Sequence, residues 1–140
     1  MVHGGTYRTG LSIYTGSEAN YLVKLRDSYI GHSEATAISV VSLPTKADPS
    51  QQIHISNCII DNCVVGIDIE YHNSPTQIVI ENCIIMNISD TYGCGLKIVN
   101  VGDDIEHPQF SVILSNISFE NNKLPQIGGI QLHNVKAILN

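Results

Sequence analysis

The chain alternates apolar and polar residues over short stretches, and one such pattern recurs along it. The stretches are "YLVKLRDSYIGH" from Tyr21, "QIHISNCIIDN" from Gln52, "TQIVIENCIIMN" from Thr76 and "FSVILSNISFENN" from Phe110. Alternation with a period of two is typical of a strand that buries one face. Internal similarity at a spacing of roughly 20–50 residues indicates stacked repeats. The pattern therefore predicts an all-β chain built from repeated rungs.

Alignment of the four stretches places equivalent residues in columns. Three columns are apolar: Val23, Ile53, Ile78 and Val112; Leu25, Ile55, Ile80 and Leu114; Ile30, Ile60, Ile85 and Phe119. A fourth column holds Asp27, Asn57, Asn82 and Asn116. Asp and Asn tolerate left-handed backbone and bond to nearby main chain, so we expect the chain to bend there and the side chains to stack in a ladder.

A third short strand follows in each repeat and begins with a small residue; we call it the Gly-led strand. Its copies are "GLSI" at Gly10, "AISV" at Ala37, "GIDI" at Gly66, "GLKI" at Gly95 and "GIQL" at Gly129. Three short strands separated by bends cannot form one flat sheet, so the chain must coil. We predict a right-handed, single-stranded parallel β-helix of about four to five rungs, with residues 1–140 as a single domain.

The repeated "xVxIxNCxIxxN…GIxI" pattern resembles the right-handed parallel β-helix of the pectate lyase-like superfamily, from Gly10 to Val135. Within it, the chain is most similar to a fragment of a phage tailspike or tail appendage. The resemblance implies a virion or extracellular location. It specifies function weakly, because the same coil serves lyases, hydrolases, adhesins and tailspikes. Since "GLSIY" is only the tail end of a repeat, we expect a piece of a longer protein.

Composition removes several classes of partner. The formal charge is −6, with 7 Lys and Arg against 13 Asp and Glu, so no nucleic-acid partner is expected. No apolar run approaches the ~18 residues of a membrane span. The four cysteines lack paired CxxC spacing, so we predict no metal and no cofactor, and expect reduced, buried thiols.

Alternation along the Gly-led strands predicts two outward columns on one polar face. They are Ser12, Ser39, Asp68, Lys97 and Gln131, and then Tyr14, Val41, Glu70, Val99 and His133. Asp68 and Glu70 lie at i and i+2, which places their Cα atoms ~6.5–7 Å apart. Such a pair could serve as acid and base on a glycosidic bond. Alternatively, Lys97 pairs with Asp68 across strands and the carboxylates are structural.

The same face offers candidate ligand-binding residues for a polysaccharide, namely Tyr14, Lys97, Gln131 and His133. Tyrosine rings can stack on sugar rings, and we also expect Tyr71 and Tyr92 to lie in accessible loops. The chain has no Trp, so the sequence shows no aromatic-rich glycan groove.

The other two strands of each rung are more apolar on their outer side than a solvated surface usually is. Their outward positions include Tyr29, Ile59 and Ile84 in one column and Val79 and Ile113 in another. We expect this flank to be an interface in a parallel homotrimer. The alternative is that the loop "SLPTKADPSQ" or the loop "NVGDDIEHPQ" covers it within one chain.

Three functions follow, in order of preference. The first is a β-helix segment of a tailspike-like or adhesin protein that interacts with host surface polysaccharide. The second is a polysaccharide hydrolase or lyase that uses Asp68 and Glu70. The third is a structural, secreted β-helix. An enzyme of this fold needs a long groove, and five Gly-led strands are few, which favours the first over the second.

Overall fold

The computed structural model describes residues 2–3, 9–15, 22–42, 51–71, 77–89, 93–101, 111–123 and 129–140. Within these ranges the chain forms strands and bends and contains no helix. The strands are β1 (Val2–His3), β2 (Thr9–Thr15), β3 (Leu22–Arg26), β4 (Tyr29–Gly31), β5 (Thr36–Ser42), β6 (Gln52–Ser56), β7 (Ile59–Asp61), β8 (Val65–Tyr71), β9 (Gln77–Met86), β10 (Cys94–Asn100), β11 (Ser111–Glu120), β12 (Ile130–His133) and β13 (Lys136–Leu139).

The strands form two parallel sheets. The Gly-led strands stack as a five-stranded sheet in the order β12-β10-β8-β5-β2. The remaining strands form an eight-stranded sheet in which β9 pairs with both β6 and β7 on one side and with β11 on the other. We call this second sheet the flank sheet. Because every neighbour in both sheets comes from the next repeat, the chain is a parallel β-solenoid, as predicted.

The solenoid makes about three turns, slightly fewer than the four to five rungs expected. The difference lies at the two ends of the stack. Strands β2 and β12 each have a neighbour on one side only, and β13 pairs with only the first part of β11. The terminal repeats therefore contribute strands without completing a turn.

Strand register confirms the predicted columns. Ile53 lies beside Val23 and Ile78, and Ile55 lies beside Leu25 and Ile80. The third column is continuous as well, through Ile30, Ile60, Ile85 and Phe119. A slip of one residue would have turned every side chain to the opposite face, so the alternation of burial fixes the register.

The interior is a stack of β-branched side chains with the cysteines between them. Ile55, Ile60 and Ile80, each predicted to be buried, have no exposed surface. The four cysteines are free and buried, as expected: Cys58, Cys63, Cys83 and Cys94. Close packing of this kind leaves neighbouring rungs little room to relax around a lost side chain.

The predicted bend column is confirmed. Asp27, Asn57, Asn82 and Asn116 all adopt left-handed backbone, with φ between 50° and 53°. Asn57 donates to the Asp27 carboxylate at 3.0 Å, and Asn116 donates to the Asn82 carbonyl at 2.8 Å. Side chains of adjacent rungs thus bond along the solenoid axis in these two pairs, which is part of the predicted ladder. All four side chains are exposed, so this ladder lies on the outside of the turn.

A second bend column, which the sequence analysis missed, follows five residues later. His32, Asn62, Asn87 and Asn121 also have left-handed backbone, with φ between 52° and 59°. The backbone N–H of His32 donates to Asp61, and that of Asn62 donates to Met86, each one rung along. This column turns the chain from the flank sheet toward the Gly-led strand.

Small residues begin the Gly-led strands because adjacent rungs approach closely there. A Cβ added at Gly66 would lie 2.3 Å from the Gly95 carbonyl oxygen and 3.0 Å from the Ile85 side chain. Backbone cannot yield cheaply at that distance. The constraint is absent at Gly129, immediately before β12, where a Cβ would meet Phe119 at an ordinary 3.5 Å.

Candidate functional site

The Gly-led sheet aligns the predicted outward residues in two rows that run along the solenoid axis. Parallel pairing places Ser39 beside Asp68, Asp68 beside Lys97 and Lys97 beside Gln131. The second row runs Tyr14, Val41, Glu70, Val99 and His133. Neighbouring parallel strands lie ~4.8 Å apart, so each row presents one side chain per rung at that interval. We call this surface the Gly-led face.

Asp68 and Glu70 both lie on β8, and each is half-buried. The Lys97 ammonium donates to Oδ2 of Asp68 at 3.4 Å, with the two side chains 39% and 28% exposed. Lys97 and Asp68 therefore form the cross-strand ion pair that the sequence analysis gave as the alternative to a catalytic role. Exposed pairs of this kind contribute little to stability, typically ~0.2–1 kcal/mol.

The candidate binding residues differ in how far they reach into solvent. Tyr14 is 73% exposed, His133 is exposed and Gln131 is half-buried. Tyr71, expected in an accessible loop, instead ends β8 with no exposed surface because its side chain points inward with Ile67 and Ile69. Tyr92 lies outside the described residues. Of the two described rings, Tyr14 is thus the accessible one.

A polar cluster on the flank sheet joins three successive rungs. The Tyr29 hydroxyl donates to Oδ2 of Asp61 at 2.6 Å, and the Asn87 amide donates to Oδ1 at 2.7 Å. The bond from Tyr29, then that from Asn87, lowers the pKa of Asp61, with a smaller contribution from the nearby His32. The same carboxylate raises the pKa of Tyr29. The sequence analysis did not predict this cluster, although Asp61 immediately precedes the second bend column in its rung and Asn87 belongs to that column.

The flank columns place their apolar residues outward, as predicted. Ile59 is 37% exposed, and Tyr29, Ile84, Val79 and Ile113 are half-buried. Register extends the second column to Ile138, which is 45% exposed. Polar groups interrupt this apolar surface at two places. One is the hydroxyl of Tyr29, and the other is the His54 and Glu81 pair, in which Nε2 and Oε1 are 2.8 Å apart. Most of the two loops expected to cover this flank lies outside the described residues.

Two of the buried thiols interact with each other. Cys58 and Cys83 occupy the same position in adjacent rungs, and each is 1% exposed. The adjacent Cys83 thiol lowers the pKa of Cys58, and Cys58 raises the pKa of Cys83, while each S–H donates to a main-chain carbonyl 3.2 Å away, at Ser56 and Glu81 respectively. Burial raises the pKa of Cys63 to about 12. Because these three sulfurs are buried, they pack in the interior and present no thiol at the Gly-led face.

The described part of the chain lacks two further features. No group of three or more His, Cys, Asp or Glu side chains lies together there as metal ligands would. The same ranges include no helix of the length and apolar character needed to cross a membrane.

Comparison with protein-family models, with curated proteins and with solved structures finds no match to this chain. Its function is therefore inferred from the arrangement of its own residues.

Proposed function

We propose that this chain is the β-helix segment of a tailspike-like or adhesin protein that interacts with a host surface polysaccharide. The observation that carries the proposal is the pair of straight, mostly polar rows on the Gly-led face, which span five stacked strands. A polymer lying along the solenoid axis meets one side chain of each row at every rung. A virion or extracellular location accords with such a partner.

The chemistry of the rows suits a sugar polymer. Lys97 and Gln131 supply hydrogen-bond donors, His133 can donate or accept, and carboxylates at Asp68 and Glu70 accept from hydroxyl groups. Tyr14 offers an exposed ring at one end for stacking on a pyranose. Weak contacts repeated along a rigid scaffold add up by effective concentration, so no single deep pocket is required.

A polysaccharide hydrolase or lyase remains the second candidate, because Asp68 and Glu70 are held on one strand and both point outward. The contact between Lys97 and Asp68 argues against this enzymatic role, because the ammonium already binds a carboxylate that would have to act on the glycan. A purely structural, secreted β-helix is the third candidate, and it requires no ligand at all.

Retention on a panel of immobilised bacterial surface polysaccharides, read together with release of reducing ends, separates the three candidates. The binding role predicts retention that Lys97→Ala and Gln131→Ala weaken, with no release of reducing ends. Release that Glu70→Gln abolishes would identify an enzyme. No retention on any surface polysaccharide would leave the structural role.

We also propose that the flank columns mediate a parallel homotrimer. Burying an exposed aliphatic side chain contributes roughly 1.5–3 kcal/mol when water is excluded, and the flank offers several on adjacent rungs. A threefold arrangement lets every subunit bury the same patch and leaves the Gly-led faces accessible.

Sedimentation tests the trimer directly. The wild-type chain should sediment as a trimer at tens of micromolar, and Ile84→Glu should dissociate it by placing a charge in the buried patch. Glu81→Gln, which changes charge beside the patch without an apolar loss, is the matched control. A wild-type monomer, unchanged by Ile84→Glu, would show that the flank is not an interface.

A further inference from the structure

A groove runs along the second bend column, on a different surface from the two rows of the Gly-led face. One cavity of about 250 Å³ is lined by His32, Ser33, Glu34, Asn62, Val64 and Ser89. A second, of about 220 Å³, is lined by Asn62, Asn87, Ile88, Ser89, Asn121 and Lys123. Because Asn62 and Ser89 line both cavities, the two adjoin along the second bend column; we call them together the second-bend groove.

The backbone explains why this groove is polar and periodic. Left-handed φ at the four column positions turns their side chains outward at the same point of every rung. All four side chains are exposed: His32, Asn62, Asn87 and Asn121. Since successive rungs are ~4.8 Å apart, the groove presents a repeated array of one imidazole and three amides.

Hydrogen bonds between rungs hold part of this array in place. Nδ2 of Asn62 lies 2.9 Å from Nδ1 of His32, within hydrogen-bond distance. Asn87 donates to Asp61 at 2.7 Å. Each of these amides has two N–H donors and a carbonyl, so one inter-rung bond leaves further bonding capacity. The array is therefore ordered before a ligand arrives, which lowers the entropy lost on binding.

The lining also contains apolar surface. Val64, which lines the first cavity, is half-buried and contributes that apolar surface. Exposed Glu34 stands at one end and exposed Lys123 at the other, so the groove carries no excess of one charge. Amides, a hydroxyl and small apolar patches together suit a neutral ligand with hydroxyl groups on its edges and C–H groups on its faces.

The spacing restricts the ligand further. An extended peptide advances ~3.3 Å per residue and falls out of step with rungs ~4.8 Å apart. Extended chains of 1→4-linked hexopyranoses advance by about one rung per sugar, so each sugar can meet an equivalent amide. We infer that the second-bend groove binds a neutral, extended, 1→4-linked hexose chain. This inference rests on the proposed polysaccharide-binding function and adds to the Gly-led face a second, separate surface that takes a neutral hexose chain.

Backbone amide chemical-shift mapping can separate the two surfaces, with cellohexaose and a 1→4-linked mannohexaose as probes. The inference predicts shifts clustered at Ser33, Asn62, Ser89 and Asn121, and few on β8 and β10. Shifts confined to the Gly-led face would overturn this groove while leaving polysaccharide binding intact. No shift on either surface with either probe would overturn the groove, and the surface-polysaccharide panel would then decide the proposed function by itself.

Two matched substitutions sharpen the assignment. Ser89→Trp fills the part shared by both cavities, whereas Ser39→Trp places the same bulk on the Gly-led face. We expect Ser89→Trp to weaken binding of the shifting hexose by about tenfold or more and Ser39→Trp to change it by less than about twofold. The opposite ranking of the two Trp variants would place the ligand on the Gly-led face.

Discussion

The two halves of β11 belong to one strand and one repeat, yet they are buried to different degrees. Val112 is fully buried and Leu114 is 3% exposed, whereas Ile117 and Phe119 are only half-buried. The first half pairs with β9 on one side and β13 on the other, while the second half pairs with β9 alone. A cavity of about 170 Å³ opens beside the uncovered half. Burial in this fold is therefore conferred by the neighbouring rungs.

Residues in the central rungs have a neighbouring rung on both sides and are fully buried. In the column that contains Phe119, Ile60 and Ile85 have no exposed surface because a rung lies on each side of them. In a stacked architecture, stability is approximately a sum of terms for single repeats and for contacts between nearest neighbours. Equivalent substitutions should consequently cost more in the middle of the stack than at its ends.

The largest contrast is expected between two members of one core column. Ile80→Ala should lower the free energy of unfolding by about 2–5 kcal/mol, because rungs on both sides prevent the cavity from closing. Leu25→Ala, at a half-buried position near the other end of the stack, should cost only about 1 kcal/mol. Urea unfolding of both variants provides the comparison. Equal losses would contradict stacking as the source of burial.

Glycines at the start of the Gly-led strands give the next contrast. Gly66→Ala should destabilise by about 1–3 kcal/mol, because the new methyl group meets backbone of the next rung. Gly129→Ala has ordinary contact distances and should be close to neutral. Thermal unfolding followed by circular dichroism can rank the pair. A Gly129 variant as unstable as the Gly66 variant would mean that the terminal rung is packed like the central ones.

Substitutions at two positions with left-handed backbone should show a smaller difference in the free energy of unfolding. Asn82→Leu places a bulky residue at φ 51° in the middle of the stack and should cost about 1–2 kcal/mol. Asn134→Leu has φ 53° but precedes the last strand, which can fray to relieve the strain, so its cost should be smaller. Asn82→Gly isolates the side-chain bond from the backbone strain. If Asn82→Leu unfolds at the wild-type urea concentration, the bend does not require this conformation.

The smallest contrast concerns two carboxylates in one column. Asp61 accepts bonds from the rungs on both sides, whereas Glu120 accepts from Ser118 of its own strand. At neutral pH, Asp61→Asn should cost about 1 kcal/mol and Glu120→Gln should cost little. Because the folded pKa of Asp61 is lowered, its contribution is complete above the unfolded value of 3.8 and is lost as pH falls through the folded value. Urea midpoints that fail to converge between wild type and Asp61→Asn at acid pH would contradict this assignment.

Sequence alone predicted the columns because alternation and the repeated Asn specify the register without knowledge of any contact. The second bend column was not predicted, although the sequence contains its signal. Each member of the first bend column is followed five residues later by His or Asn. His32 disguised the repeat, since the first member of the column is not an amide.

Tyr71 and the second-bend groove were missed for different reasons. Tyr71 was expected in an accessible loop, but it continues the strand alternation that buries Ile67 and Ile69, so its side chain points inward. The rows of the Gly-led face followed from alternation, whereas the second-bend groove required knowledge of which turns lie side by side. Whether Asp68 and Glu70 are catalytic stays a prediction that the Lys97 contact weakens.

Residue-resolved amide hydrogen exchange tests most directly the claim that neighbouring rungs on both sides stabilise each rung. The slowest amides should be those of Ile55 and Ile80, which open only with global unfolding. Amides of β12 and β13 should exchange fastest, and those in the second half of β11 should be intermediate. Uniform protection along the chain, or greatest protection in β12 and β13, would contradict the claim.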